Sequence, residues 1–209
     1  MKKNTRKNNL LLISLHRKTL LDNYQKSVER LLPTSKLMKN IISKNNLEKN
    51  IGVWGILNTE NNFRVWKEIK KSDRIIFLHN KKFFSKAKVI GIKENKEIPK
   101  KIWKDSTFIE NRNLLIFLEN IEPIDLDYET CIPMIIEPNM SDAYYFSIIK
   151  VNEKKRDFLI TTFGSVEKAL EFLDNTKGKN SISDFLTRKQ LAEETDMVIK
   201  EGINKQRIG

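Results

Sequence analysis

The apolar positions of this chain alternate between short uncharged runs and stretches of helical spacing. Leu10–Leu15 (LLLISL) reads as a fully buried first strand. From Thr19 to Leu32 the apolar residues Leu20, Leu21, Tyr24, Val28, Leu31 and Leu32 recur at helical intervals, and Pro33 stops the helix. Thr34 or Ser35 can cap a second helix carrying Leu37, Met38, Ile41 and Ile42 inward, which the stretch KNNLEKN ends. The texture then changes. Ile51–Leu57 (IGVWGIL) is β-branched, aromatic and uncharged, as a core strand requires. Asn61–Ile69 predicts one or two helical turns with Phe63, Trp66 and Ile69 on one face, and Lys70–Asp73 predicts a turn. Arg74–His79 and Phe83–Ile92 predict two strands around a tight turn at Asn80–Lys82. Leu114–Leu118 predicts another strand, followed by polar turns and Pro123. Tyr144–Val151 fits a last strand or a short helix, with its β-branched content favouring the strand, and Val166–Leu173 predicts an amphipathic helix.

These elements predict an α+β fold: a small β-barrel with helices inserted between the first and second strands and a helix at the C-terminal side. The regular strand–helix alternation of a doubly wound sheet is missing. Residues 1–9 read as a disordered basic N-terminus, 10–174 as one domain, and 175–209 as a linker or helical tail.

Charge adds a direction. Residues 1–50 hold 12 Lys/Arg against 3 Asp/Glu, residues 51–120 hold 15 against 8, and residues 121–209 hold 12 against 16. A basic front and a mildly acidic back suit a surface that faces a polyanion. Lysines solvating every face of a Lys- and Asn-rich chain would give the same totals. The longest apolar run is far too short to span a bilayer, so no membrane partner is expected. The single cysteine, Cys131, leaves no internal disulfide, which fits a reducing cytoplasm.

Catalytic signatures are sparse. No phosphate-binding glycine loop, nucleophile elbow or zinc-ligand spacing occurs, and no cofactor is expected. His16 and His79 read as surface or pocket-rim side chains. Asp125 with Glu153, Lys154 and Lys155 has the outline of a Mg²⁺-dependent nuclease, but acid-x-Lys triplets recur throughout so lysine-rich a chain.

One ordered block carries more. Gly52–Leu57 (GVWGIL), the short segment with Trp66, then Ile69, Lys70, Asp73, Ile75 and Phe77, a polar hairpin tip, and Phe83 with Ala87 together resemble the EVE-type domains of the PUA-like (EVE/YTH) superfamily. Ser72 stands where that family has glycine, and Ile102–Trp103 with the LLIFL strand resembles a later family segment. The chain also looks like the N-terminal DNA-recognition domains of Mcr-type modification-dependent restriction GTPases. The insert Thr19–Asn50 is longer than in compact members.

This resemblance implies a PUA-like barrel that binds nucleic acid, DNA ahead of RNA, and holds a flipped modified base in an aromatic pocket. It implies a binding module serving a GTPase motor and a nuclease subunit, with no catalysis of its own. Trp54 matches the family's cage tryptophan, and Trp103 is either a second wall or a barrel plug. Ser14, His16 and Asn58 stand where polar pocket groups are expected, or are ordinary loop caps. Arg17, Lys18, Lys81 and Lys82 are the candidate phosphate contacts. An RNA-binding barrel and, further off, the nuclease are the alternatives.

Overall fold

The computed structural model describes residues 8–34, 50–103, 111–135 and 147–176. The predicted second helix, the segment 136–146 and the tail from 177 lie outside the described residues.

Seven strands form one sheet: β1 (Leu10–Ser14), β2 (Leu32–Pro33), β3 (Asn50–Ile56), β4 (Arg74–His79), β5 (Lys82–Glu94), β6 (Leu114–Asp127) and β7 (Ile149–Lys150). Their order is β2-β3-β6-β5-β4-β1-β7, and every pair is antiparallel except β1 with β4. In a flat sheet β3 and β4, three places apart, would lie about 14 Å from each other. Yet the rings of Trp54 on β3 and Phe77 on β4 meet edge to face at 6.2 Å. The sheet is therefore strongly curled around their side, as a small barrel requires.

Irregularities in the two longest strands permit that curl. The β5–β6 register shifts between Phe83 and Ser85, between Lys86 and Lys88, and between Val89 and Gly91. A bulge bends its strand and can exchange the faces of the residues beyond it. Phe83 accordingly belongs to one core cluster, while Ala87 and Val89 belong to the other. The LLIFL strand does not end at polar turns as its sequence suggested. It continues through Pro123 to Asp127, because the proline pairs with Ser85 at the first of these shifts, where a ladder hydrogen bond is not needed.

Strands β1 and β4 are buried on both faces. Leu11, Ile13, Leu15, Ile75 and Phe77 point into the barrel core with Trp54, Trp66 and Trp103. Leu10, Leu12, Ile76 and Leu78 join a second core with Leu126, Leu159, Leu170 and Leu173. That second core exists because two C-terminal helices cover the sheet, α5 (Glu153–Phe163) and α6 (Val166–Thr176).

The remaining helices are α1 (Lys18–Tyr24), α2 (Glu60–Glu68), α3 (Glu97–Ile102) and α4 (Tyr128–Ile135). A π-helical turn, Gln25–Glu29, follows α1, so regular helix stops earlier than the apolar spacing indicates. Thr59 caps α2 by accepting from the Asn62 amide, and Trp66 is its buried anchor. The predicted strand over 144–151 is only Ile149–Lys150 within the described residues.

The Lys70–Asp73 turn asks a non-glycine residue to take a conformation that suits glycine. Ser72 has φ +77, the left-handed region that side chains disfavour. The buried Asp73 carboxylate holds the turn by accepting from the Lys70 amide at 2.9 Å and from the Asn9 amide and side chain at 2.9 and 3.0 Å.

Candidate nucleic-acid interface

Strands β1 and β4 run parallel, so their C-terminal ends open at the same end of the sheet. The ladder extends one step past β1, with the Leu15 amide donating to Leu78 at 2.7 Å. The Leu15 carbonyl accepts from His79 Nδ1 at 2.6 Å, which fixes that ring as a donor. The chain then leaves the sheet at His16 and Arg17. Arg17 adopts the extended conformation of a helix cap, and its carbonyl accepts from Leu20 and Leu21. This local geometry leaves Arg17 and Lys18 exposed and His16 half-buried.

Arg112 reaches the same place from the segment before β6. One of its guanidinium nitrogens donates to the Gly55 carbonyl at 3.1 Å. Burial and then the charge of Arg17 pull its pKa down to about 10. Burial, then Arg17, then Arg112 hold the His16 imidazole below its ordinary value. Three basic groups thus share a single mouth, where burial first and their mutual repulsion second disfavour protonation. Sequence reading missed Arg112. Its only signal was a cation directly ahead of the strand that pairs with Trp54.

A pH effect follows from His16. The unfolded chain takes up the proton near pH 6.5, while the folded chain resists it until lower pH. Stability should therefore fall as pH drops below about 6.5, through the window between the unfolded and folded values. Urea midpoints at about pH 7.5 and about pH 5.5 test this: His16→Gln should lose less stability across the interval than the unaltered chain. Equal losses would remove His16 as the source.

Beneath the mouth lie Trp54 and Trp103, packed edge to face at 6.4 Å and 1% and 0% exposed. Trp103 follows α3 and packs closely on β3 because residue 55 is glycine. A Cβ there would stand 2.9 Å from two atoms of the Trp103 ring and 2.9 Å from the Arg112 carbonyl oxygen. Trp66 is buried against Phe63 and donates from its indole to Leu115 at 3.1 Å, the core role its spacing indicated.

The other candidates scatter. Ser14 is buried, and by strand alternation shares the face of Leu10 and Leu12, away from Trp54. Asn58 is exposed, and its amide donates to Asn111 at 2.6 Å. It lines a neighbouring cleft of about 440 Å³ with Glu94, Lys96, Glu97 and Asn113. Lys81 and Lys82 are exposed at the β4–β5 tip, where Asn80 and Lys81 both have positive φ. Lys82 pairs with Asp125 at 3.2 Å, and Lys81 lies 3.9 Å from Glu129. With Lys86–Glu122 and Lys88–Glu119, the Lys82 pair forms a cross-strand ladder in which each lysine meets a carboxylate. Hence the outer face of β5 and β6 largely neutralises itself.

Asp125 and Glu153, the two carboxylates of the nuclease reading, keep separate company. The Asp125 amide donates to Asp174 on α6, whereas Glu153 begins α5 beside Lys150 and Arg156. Among the described residues no three His, Cys, Asp or Glu side chains gather as a metal site would need.

No family model and no curated protein matches the chain. Among solved structures it is similar to the N-terminal domain of Thermococcus gammatolerans McrB bound to m5C DNA. The two share 14% sequence identity at a TM-score of 0.54, over 74% of this chain and 96% of that one. The likeness establishes a shared fold with an Mcr-type N-terminal domain.

Proposed function

We propose that this chain is a DNA-binding module that recognises a modified base and carries no catalysis of its own. The supporting observation is the fold it shares with nearly the whole of a domain solved on m5C DNA. The mouth of His16, Arg17 and Arg112 adds a reason. An approaching phosphate offsets the repulsion between the Arg17 and Arg112 cations, so such a mouth gains from meeting a polyanion.

In this reading Arg17, Lys18 and Arg112 hold backbone phosphates, and a base leaves its stack toward the Trp54–Trp103 pair. Extrusion costs a few kcal/mol. Stacking on an aromatic face returns about 1–3 kcal/mol per base. Because both tryptophans are closed over, a base reaches them only when the lining above them opens. Such a module would direct a GTPase motor and a nuclease to modified DNA, the role of a targeting domain in a restriction system.

The test is fluorescence anisotropy on the chain with duplexes that differ only in cytosine methylation, with single-stranded RNA as a third ligand. Methylated duplex should bind most tightly. Log affinity should fall with log salt by about 0.9 for each phosphate neutralised. Equal affinity for the two duplexes removes modified-base recognition, and tighter binding of RNA transfers the reading to an RNA module.

A further inference from the structure

We propose that a cleft at the opposite end of the sheet, lined by Lys67, Lys70, Lys71, Lys150 and Arg156, is a second contact for nucleic-acid backbone phosphates. The inference rests on the DNA-binding reading above and adds a site to it. The cleft has a volume of about 460 Å³ and lies where β1 and β4 begin, between the end of α2, the Lys70–Asp73 turn and the start of α5.

Its charges are unevenly spent. Five cations line it against three carboxylates, Glu68, Asp73 and Glu153. Glu68 pairs with Lys150, the buried Arg156 donates to Asp157 at 2.9 Å, and Glu153 lies 3.9 Å from both Lys150 and Arg156. Asp73 is buried and occupied by the Asn9 and Lys70 donors. Lys67, Lys70 and Lys71 are all exposed, and none of the three forms an ion pair among the described residues. This is the reverse of the β5–β6 face, where each lysine of the ladder has its carboxylate.

The turn that presents these lysines is also rigid. The Ser72 amide donates to Val89 at 2.8 Å, the Asp73 amide to Lys70 at 3.1 Å and the Arg74 amide to Asn9 at 2.9 Å. Arg156 is tied to the same network through Asn9 at 3.1 Å. A rigid backbone lowers the ordering cost when a ligand binds. Strand β1 links the cleft to the mouth, and its length of about 13 Å matches about four nucleotides of one duplex strand. One DNA molecule can therefore touch both ends.

The experiment compares duplex binding over a salt series for three proteins. These are the unaltered chain, the triple variant Lys67→Gln, Lys70→Gln, Lys71→Gln, and the control pair Lys86→Gln, Lys88→Gln. The triple variant should flatten the salt slope by about 0.9 for each phosphate it no longer neutralises. It should weaken methylated and unmethylated duplexes equally, because phosphates carry no sequence information. The control should keep the original slope, and the triple variant should melt like the unaltered chain, since its altered lysines are exposed. An unchanged slope in the triple variant overturns the cleft and leaves the parent reading standing. So does an equal flattening by the control pair, or a weakening confined to methylated duplex. Failure of the unaltered chain to bind any duplex sinks both.

Discussion

Trp54→Ala should melt early, losing about 3–5 kcal/mol of stability, the usual cost of emptying a large aromatic site in a core. Domains of this size hold only about 5–15 kcal/mol in total, so the variant should be partly unfolded near physiological temperature. The physical reason is enclosure. At 1% exposure Trp54 touches Phe77 across the barrel and Trp103 beside it, so its removal strands two rings as well as leaving a void. Trp66→Ala should behave similarly, because Trp66 is 7% exposed and its indole satisfies the Leu115 carbonyl. Urea melts and DNA affinities on the same two proteins separate the roles. A Trp54→Ala protein that stays as stable as wild type and loses only DNA binding would make Trp54 an open stacking wall and refute its place in the core.

Much of this architecture could be read from the chain because buried strands announce themselves. RIIFLH is β4 residue for residue, and IGVWGIL is β3 shifted by one position, since uncharged β-branched runs have few other stable homes. The segment Ile69, Lys70, Asp73, Ile75 and Phe77 that carried the family resemblance is structural. It encodes a buried turn anchor and one inward-facing strand side, with Ile69, Asp73, Ile75 and Phe77 all buried. The failures have equally local causes. The second half of β6, ENIEPIDLD, is polar and contains proline because it runs past bulges with one face exposed, so no apolar alternation marks all of it. Helix α5 buries only Arg156 and Leu159 and shows no clear stripe. Its ends were nonetheless written in Asn152, which caps the Lys154 amide, and in Gly164 with φ +87.

The site was harder to read than the fold, because proximity in a curled sheet is not proximity in sequence. His16 and Arg112 come together only after β1 and the segment before β6 converge on one mouth. Ser14, still inside β1, shares the face of Leu10 and Leu12 away from Trp54, whereas His16 lies beyond the end of the strand. Net charge was likewise an incomplete guide. Lys82, Lys86 and Lys88 count toward the formal +12 of the chain, yet each is answered by a carboxylate across the ladder. Pairing decides which lysines remain available to a polyanion.

The second large effect should come from the smallest side chain near the mouth. Gly55→Ala places a methyl group 2.9 Å from the Trp103 ring and 2.9 Å from the Arg112 carbonyl oxygen, closer than packed carbon atoms tolerate. Overpacking of this kind costs about 1–3 kcal/mol. The upper end is expected here, because one obstacle is backbone and cannot rotate away. Arg112 is displaced with it, since its guanidinium donates to the Gly55 carbonyl. Mutation of a core position should therefore weaken DNA binding by the protein that remains folded, which a purely local packing defect would not do. Combining Gly55→Ala with Trp103→Leu identifies the obstacle. If the ring dominates, the double variant should be clearly more stable than the sum of the two single losses predicts. Strictly additive losses would place the strain on the Arg112 backbone instead. Wild-type stability and affinity in Gly55→Ala alone would show that β3 and Trp103 are not in contact.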